Sequence, residues 1–410
     1  DKSHQVFSLY VKSFGYKKYD IQQNLIAANL AMKAKNYPAV LSSLEFLNGL
    51  DPKNMVDAYT MKAKALQKLN NTTEAIKTLN SIKDYAETSD STRLELVRLL
   101  VLDKQKKSAL PVLEKLIEKH QKNNDLLKSL IALQIDQLFL SKADKNIQKL
   151  RLTKKYTYDA DYFTGEVLEA KGYLEKALDS YNKVKRGSFL KNAHKKTIHL
   201  TRRTKGQEAL DELFNLRQVK SENAKDKAYW FKLHADELFD GKKYQQAFVL
   251  YTKAIELTPE NTLYYYYRGL LNERMGKLDY AENDFHHVIK KRKNNADALN
   301  ALGYMLTVNT QRLSEAKKYI KQAHAIKPND PAIMDSLGYV LYKTGELQTA
   351  EHYLRKAFRL INNPEVASHL ISVLAESGKH QEAQQIFDQM NKKYPNNKLL
   401  NNVKHYLHGI

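Results

Sequence analysis

The chain has 410 residues, no cysteine, 14 glycines and 8 prolines, and its 67 basic and 46 acidic side chains leave a formal net charge of +21. The lack of cysteine excludes disulfide scaffolds, thiol nucleophiles, zinc–thiolate sites and iron–sulfur clusters, and the few glycines and prolines argue against a turn-rich all-β protein. A hydrophobic fraction of 42% suffices for a sizeable core and is too high for general disorder.

The most apolar stretches of the chain, 94–102 and 126–140, contain Arg98 and Asp136 respectively. Neither reaches the roughly 18–20 uninterrupted apolar residues that a membrane-spanning helix needs. The sequence begins at Asp1 rather than at methionine, and we interpret this as the removal of a leading segment that could have held a signal or an anchor. The lack of cysteine therefore does not by itself place the chain in the cytosol.

In chain order, we expect a lead-in segment at 1–19, more degenerate helical repeats over 20–223, well-formed repeats over 224–397 and a capping helix at 398–410. The repeats are predicted from alanines that recur at spacings of 32 to 38 residues. These alanines are Ala39, Ala75, Ala109, Ala143, Ala177, Ala209, Ala247, Ala281, Ala316, Ala350 and Ala383. A small side chain there lets two helices approach closely, whereas a longer one would separate them.

The clearest repeat is 228–261, which reads AYWFKLHADELFDGKKYQQAFVLYTKAIELTPEN. Its apolar residues recur at steps of three and four, which predicts two amphipathic helices, helix A and helix B. The residues that carry this pattern are Phe231, Ala235 and Leu238 in helix A and Ala247, Tyr251 and Ala254 in helix B. Pro259 separates this repeat from the next one, because proline cannot continue a helix.

Ten of the 14 glycines fit the same scheme. Four lie in helix A where helix B must pack closely, namely Gly165, Gly269, Gly303 and Gly338. Six lie in the turn between the helices, where a left-handed backbone is useful, namely Gly172, Gly206, Gly241, Gly276, Gly345 and Gly378. No glycine pattern remains for a phosphate-binding loop.

This pattern resembles the tetratricopeptide repeat (TPR) family. The resemblance implies an all-α fold, a right-handed α-solenoid of about eleven helix-turn-helix repeats with a C-terminal capping helix. In that family, helix A side chains line a groove that binds proteins. The matching positions here are Tyr229, Lys232, Asp236, Phe239, Tyr266, Tyr267, Arg274, Asn300, Tyr304, Asp335, Tyr339, Tyr342 and His369. A tyrosine-rich groove suits peptide recognition, although packing between repeats is the alternative role of these tyrosines.

Some TPR proteins hold a terminal carboxylate of a chaperone with a lysine and an asparagine four residues apart on helix A. No repeat has that pair, and the nearest match combines Lys232 with Asp236, whose charge would repel a carboxylate. A cochaperone role is therefore disfavoured.

No catalytic motif is present: HExxH, GxSxG and a glycine-rich phosphate loop are all absent from the sequence. His286 and His287 are adjacent, so on a helix they point about 100° apart and do not readily share a metal. His194 and His199 diverge as well. We therefore predict no enzyme activity, no cofactor and no metal site.

Nine basic residues and no acidic one occupy 183–205. This basic patch consists of Lys183, Lys185, Arg186, Lys191, Lys195, Lys196, Arg202, Arg203 and Lys205. It fits an acidic partner, an anionic membrane or nucleic acid, or else a lysine-rich solvated surface. Nucleic acid is disfavoured because no recognition module is present.

Residues 298–360 contain the motifs NALGY, PNDPAIMDSLGYVLYKTG and YLRKAF. They resemble bacterial outer-membrane TPR lipoproteins of the LbcA type, although Tyr339 stands where relatives often have tryptophan. The resemblance implies an adaptor, lipid-anchored at the periplasmic face of the outer membrane through a segment upstream of Asp1. Such an adaptor binds and activates a carboxyl-terminal processing protease and presents peptidoglycan hydrolases to it.

Two other interpretations stay open. One is a TPR assembly factor for an envelope machine, such as a pilus, a secretion system or a polysaccharide exporter. The other is a cytosolic TPR scaffold or an RNA-associated helical repeat.

Overall fold

The computed structural model describes residues 5–9, 20–48 and 50–407, and all regular structure in these ranges is helical. In chain order the helices are α1 (5–9), α2 (Ile21–Lys33), α3 (Tyr37–Ser43), α4 (Val56–Lys68), α5 (Thr72–Asn80), α6 (Asp90–Leu102), α7 (Lys106–Lys119), α8 (Asn124–Asp136), α9 (Leu140–Leu152), α10 (Thr157–Ala170), α11 (Leu174–Lys183), α12 (Leu190–Val219), α13 (Ala224–Asp240), α14 (Tyr244–Leu257), α15 (Thr262–Arg274), α16 (Leu278–Lys291), α17 (Ala296–Asn309), α18 (Leu313–Ile326), α19 (Pro331–Lys343), α20 (Leu347–Leu360), α21 (Pro364–Glu376), α22 (His380–Lys393) and α23 (Lys398–Asn402). The prediction of an all-α chain of paired helices is confirmed.

The chain divides into two compact units, 1–210 and 211–410. Within each unit a helix packs against the next one in sequence, as α4 does against α5 and α19 against α20. The segment boundaries expected from repeat quality, after residues 19, 223 and 397, stay predictions. Of the expected lead-in, 1–4 and 10–19 lie outside the described residues, as do 408–410 of the expected capping segment.

Helix A of each repeat in the second unit begins at a side chain that caps it. The five capping residues are Asn223, Asn261, Asn295, Asp330 and Asn363, and each side-chain oxygen accepts a backbone N–H two or three residues ahead. Such a cap satisfies one of the four unpaired donors at a helix start and contributes about 1 kcal/mol. These polar residues therefore set where each repeat begins.

Nine of the eleven recurring alanines are fully buried between helices A and B, as predicted. Ala39 and Ala209 are only half-buried, and the residues that follow them, Val40 and Leu210, are fully buried instead. In these two repeats helix B starts one residue later than the alanine spacing implies. The predicted small residue is therefore wrong there, and a larger side chain fills the position.

The four glycines of helix A lie where helix B leaves no room for a side chain. At Gly338, an added Cβ would lie 2.5 Å from Cγ of Leu354, and at Gly303 it would lie 2.9 Å from the backbone oxygen of Ala316. Of the six turn glycines, five have a positive φ, namely Gly172, Gly206, Gly276, Gly345 and Gly378. Gly206 divides α12 into two helical segments, because its φ of 87° and ψ of −175° are not helical. The prediction is wrong for Gly241, whose φ is −75°, because Lys242 takes the left-handed conformation at φ 57°.

Ion pairs link neighbouring repeats within each unit. Lys106 Nζ lies 2.7 Å from Oδ1 of Asp136, and Lys171 Nζ lies 2.7 Å from Oδ2 of Asp144. In the second unit, the Arg312 guanidinium donates to both oxygens of Glu282 at 2.8 Å. Each pair joins residues about one repeat apart, so these charges act at the junctions between repeats.

Candidate protein-binding groove

In the second unit, helix A of one repeat contacts helix A of the next for α15 with α17, α17 with α19 and α19 with α21. The side chain of Lys232 on α13 reaches Tyr267 on α15. These contacts bring side chains from successive repeats onto one surface, which we call the A-face and define by α13, α15, α17, α19 and α21. All thirteen residues predicted to line a groove lie on these five helices. Their role in binding stays a prediction, and the structure assembles several of them into two clusters.

The first cluster is centred on Asp236. Its carboxylate accepts from Lys232 Nζ at 2.5 Å and from the Tyr251 hydroxyl at 2.8 Å. Lys232 Nζ also lies 4.3 Å from the ring centroid of Tyr267. Burial raises the pKa of Asp236, and the Lys232 charge opposes that rise. Lys232 and Asp236 therefore neutralise each other's charge. Tyr251 comes from helix B, and its contact with Asp236 cannot be read from the pattern of helix A.

The second cluster joins three successive A helices. The ring of Tyr339 stacks on that of His369 at 4.0 Å between centroids, and His369 Nδ1 lies 3.0 Å from Oδ1 of buried Asp335. The Tyr304 hydroxyl donates to Glu365 at 2.8 Å, a contact between residues 61 apart in sequence. This network orders the aromatic rings before any partner arrives.

The other predicted groove residues differ in exposure. Tyr266 is half-buried against the core of the second unit, and burial raises its pKa to about 12. Burial also raises the pKa of Tyr229 to about 12. Arg274 is exposed. Asn300 is half-buried, and its side-chain oxygen lacks a hydrogen-bond partner within the described part of the chain.

Two further groove positions contact neighbouring side chains. Phe239 packs on Tyr244 with 5.7 Å between ring centroids. Burial, followed by hydrogen bonds with Glu376 and Tyr406, raises the pKa of Tyr342. Tyr406 follows α23, so the C-terminal segment touches the end of the A-face. Parts of this surface thus serve packing and parts remain accessible.

Two acidic residues of the A-face, Glu273 and Glu365, were not predicted, although they share repeat positions with two predicted groove residues. Glu273 lies eight residues before Ala281, as Phe239 does before Ala247, and Glu365 lies eighteen residues before Ala383, as Tyr229 does before Ala247. Burial raises the pKa of Glu273 from 4.5 to about 7; Arg274 opposes this rise, and the negative charge of Glu365 adds to it. A buried carboxyl beside a second one attracts a cation, which would hold both in the ionised form. The A-face therefore combines tyrosines with a site of negative potential.

We expect Glu273→Gln to stabilise the protein above neutral pH. Glu273 takes up a proton more readily in the folded chain, so ionisation costs stability as pH rises from about 4.5 to about 7. A glutamine escapes that cost, and the variant should gain up to about 3 kcal/mol over the wild type by pH 8, with no gain at pH 4. Urea unfolding measured from pH 4 to pH 8 tests this. The control is Glu256→Gln, at an exposed position of α14, whose free energy of unfolding should change with pH as that of the wild type does. The same pH dependence in Glu273→Gln would contradict the prediction.

A buried ion pair lies between helices A and B of one repeat. The Arg268 guanidinium donates to both oxygens of Asp284, at 3.0 and 2.8 Å. The Asn272 amide donates to the same carboxylate at 3.2 Å, and Arg268 also donates to Thr252 at 3.2 Å. This pair holds helix A of one repeat to two B helices and is a packing element rather than a ligand site.

The basic patch lies in the first unit, around the end of α11 and along α12. Most of its side chains are exposed. Lys196 is half-buried and donates to Glu169 at 2.9 Å, and the Arg186 guanidinium lies 5.6 Å from the ring centroid of Tyr158. Lys196 and Arg186 are thus engaged with the protein itself. Whether the others meet a partner stays a prediction.

His286 and His287 point to different neighbours. His286 Nε2 lies 3.4 Å from Glu282, whereas the ring of His287 stacks on Tyr265 at 3.9 Å. Among the residues that the structure describes, no three histidine or acidic side chains gather in a manner that could hold a metal ion. In those same residues, no helix combines the length and the apolar character that crossing a bilayer requires.

Three segments match family models of known repeats. Residues 235–276 match a model described as TPR repeat, and residues 56–87 and 332–362 match models described as tetratricopeptide repeat. The chain is also 34% identical over 214 residues to the TPR repeat-containing protein PA4667 of Pseudomonas aeruginosa. That match covers 52% of this chain and 36% of the Pseudomonas protein, so it spans about a third of the length of that relative.

Solved structures show likeness in helical architecture. Yeast Tom70 aligns over 99% of this chain and 91% of its own, with a TM-score of 0.48 and 16% identity. PilW, described as a widely conserved type IV pilus biogenesis factor, aligns over 44% of this chain and 89% of its own, with a TM-score of 0.39 and 19% identity.

Proposed function

We propose that this tetratricopeptide repeat protein is a non-enzymatic adaptor at the periplasmic face of the outer membrane. It binds and activates a carboxyl-terminal processing protease and presents peptidoglycan hydrolases to it as substrates. The repeats imply protein partners. The observation that carries the binding role is the A-face, where tyrosines and carboxylates from five successive repeats share one surface. The adaptor role rests on the resemblance of 298–360 to outer-membrane TPR lipoproteins.

The A-face suits an extended segment of a partner. Tyrosine offers a large apolar area, a small loss of side-chain entropy and a hydroxyl for directed hydrogen bonds. Glu273 and Glu365 would favour a segment that carries lysine or arginine, since a cation offsets the repulsion between the two carboxylates. Because the rings of Tyr339 and His369 are already stacked, little ordering is required when the partner binds.

An adaptor of this kind acts without chemistry of its own. Holding protease and substrate on one chain raises their effective concentration to each other, as a tether does. Tighter binding to the active arrangement of the protease would shift its population toward that state. Both effects raise the rate of substrate cleavage while the adaptor stays unchanged.

The direct test is an affinity pull-down from the native envelope with the full chain as bait, read by mass spectrometry. We expect the wild type to recover a carboxyl-terminal processing protease together with cell-wall hydrolases. Tyr266→Ala/Tyr267→Ala should reduce that recovery at least fivefold, because both rings lie on the A-face. Tyr280→Ala is the matched control: it removes a tyrosine that is 65% exposed on helix B of the same repeat and should leave recovery unchanged.

Two further measurements make the result decisive. Circular dichroism melting shows whether the double variant is folded, and Arg274→Glu alters the exposed end of α15 without removing a packed ring. With purified components, the chain should increase the rate of hydrolase cleavage by the protease. Recovery of pilus, secretion or export subunits without a protease would overturn the adaptor role and support the assembly factor instead.

A further inference from the structure

The first unit contains a cleft of about 610 Å³ between α2, α4 and α6, which we call the N-terminal cleft. Its floor includes the apolar side chains Met32, Ala63, Leu79 and Leu99. Its rim carries five cationic residues, namely Lys33, Lys35, Lys64, Lys68 and Arg98. An apolar floor within a charged rim is the usual form of a specific binding site on a protein surface.

The charges of the N-terminal cleft are unbalanced. Glu95 is the one acidic residue in the lining, and its two oxygens are occupied by Arg98, at 2.6 and 2.8 Å, and by Gln67 at 2.6 Å. Over the described ranges, the four rim lysines are exposed and make no ion pair. The cleft therefore presents four uncompensated positive charges around an apolar surface.

Some other lysines of the first unit do have acidic partners. Lys106 pairs with Asp136 and Lys171 with Asp144, and both pairs lie at junctions between repeats. Like charges gathered around one cleft repel each other, and low-dielectric walls concentrate their potential. An anionic occupant would turn this repulsion into attraction.

The spacing of the rim lysines fits an extended chain. Lys64 and Lys68 lie one helical turn apart on α4, about 6 Å along its axis. Alternate residues of an extended peptide are about 6.6 Å apart, so carboxylates at every second position can meet both lysines while the intervening side chains face the floor. A nucleic acid would use stacking rings, whereas the lining holds one aromatic residue, Tyr37.

We propose that the N-terminal cleft binds an extended acidic segment of a protein partner, with its apolar side chains on the floor and its carboxylates on the rim lysines. This site is separate from the A-face, whose acidic residues favour a cationic segment. The two units thus select partner segments of opposite charge, and the adaptor proposal can fail without affecting this one.

The test uses the full chain and a fluorescein-labelled twelve-residue peptide of Glu, Asp and Leu, with a counterpart in which Lys replaces every acid. Fluorescence anisotropy should show binding of the acidic peptide and at least tenfold weaker binding of the basic one. Raising the salt from 50 to 300 mM should weaken the acidic complex, since rim charges are screened. Lys64→Glu/Lys68→Glu should lower affinity for the acidic peptide at least tenfold.

The matched control is Lys145→Glu/Lys149→Glu, which reverses two exposed lysines one turn apart on α9 and changes the net charge by the same amount. It should keep near wild-type affinity, and Lys33→Glu/Lys35→Glu at the end of α2 should lose as much as the α4 variant. Equal loss in the α9 control would attribute binding to net charge and overturn the site. So would failure to bind the acidic peptide, or displacement of it by twelve-nucleotide oligothymidine at equal or lower concentration.

Discussion

Asp284→Ala is expected to lower the free energy of unfolding of the second unit by about 3–5 kcal/mol, the range typical of a buried ion pair that loses one partner. The carboxylate accepts three hydrogen bonds, two from Arg268 and one from Asn272. Its removal leaves a guanidinium that is 19% exposed and that, within the described part of the chain, keeps a hydrogen bond to Thr252. Urea unfolding followed by circular dichroism measures the loss.

Asn283→Ala, at the exposed neighbouring position of α16, is the control and should change stability by less than about 0.5 kcal/mol. A double variant, Arg268→Met/Asp284→Leu, distinguishes the stability lost through an unpaired charge from the stability lost through a cavity. Because apolar side chains of similar volume can replace a buried ion pair at little cost, the double variant should recover most of the loss. A loss below 1 kcal/mol in Asp284→Ala would show that the pair is not a packing element.

Gly303→Ala is expected to destabilise the same unit by about 1–3 kcal/mol, the typical cost of overpacking a core. The added Cβ would lie 2.5 Å from Cγ1 of Ile320 and 2.9 Å from the backbone oxygen of Ala316. A side chain can rotate away, but a backbone oxygen moves only if α18 moves. Alanine also favours helix by about 1 kcal/mol over glycine, so the clash itself exceeds the measured loss.

Gly241→Ala is the matched glycine control. Its φ of −75° suits any residue, and an added Cβ would come no nearer than 3.4 Å to the backbone. It should therefore be neutral or slightly stabilising. If both glycine variants lost the same stability, close approach of helices A and B would not explain the glycine at 303.

The regular part of the fold could be predicted from the sequence, because close approach of paired helices requires small residues at a fixed period. The alanine spacing predicts the wrong buried residue at Ala39 and Ala209. In these repeats the helix start is shifted by one residue and a larger side chain, Val40 or Leu210, takes the buried position, so alanine does not mark it. Gly241 was misassigned for a related reason. Composition marks a turn, but the hydrogen bonds of the turn decide that Lys242 takes the left-handed conformation.

The groove could be predicted only in outline. The family pattern placed aromatic and charged residues on helix A, and the structure confirms those helix positions. The family pattern could not reveal that Tyr304 donates a hydrogen bond to Glu365, because these residues are 61 positions apart and belong to different repeats. The sequence also contains a signal for the N-terminal cleft: Lys64 and Arg98 lie eleven residues before Ala75 and Ala109, the same offset that separates Asp236 from Ala247.

The ion pairs between neighbouring repeats have a consequence for how the chain unfolds. Stability in stacked repeats is a sum of the stability of each repeat and the coupling to its neighbours. Exposed pairs such as Arg312 with Glu282 belong to the coupling, and salt screens them, while the buried alanines and glycines that join helices A and B are insensitive to salt. Ionic strength therefore acts on one part of the coupling: concentrated salt weakens the ion pairs, while the apolar core that runs from Ala281 to Val403 keeps those repeats coupled.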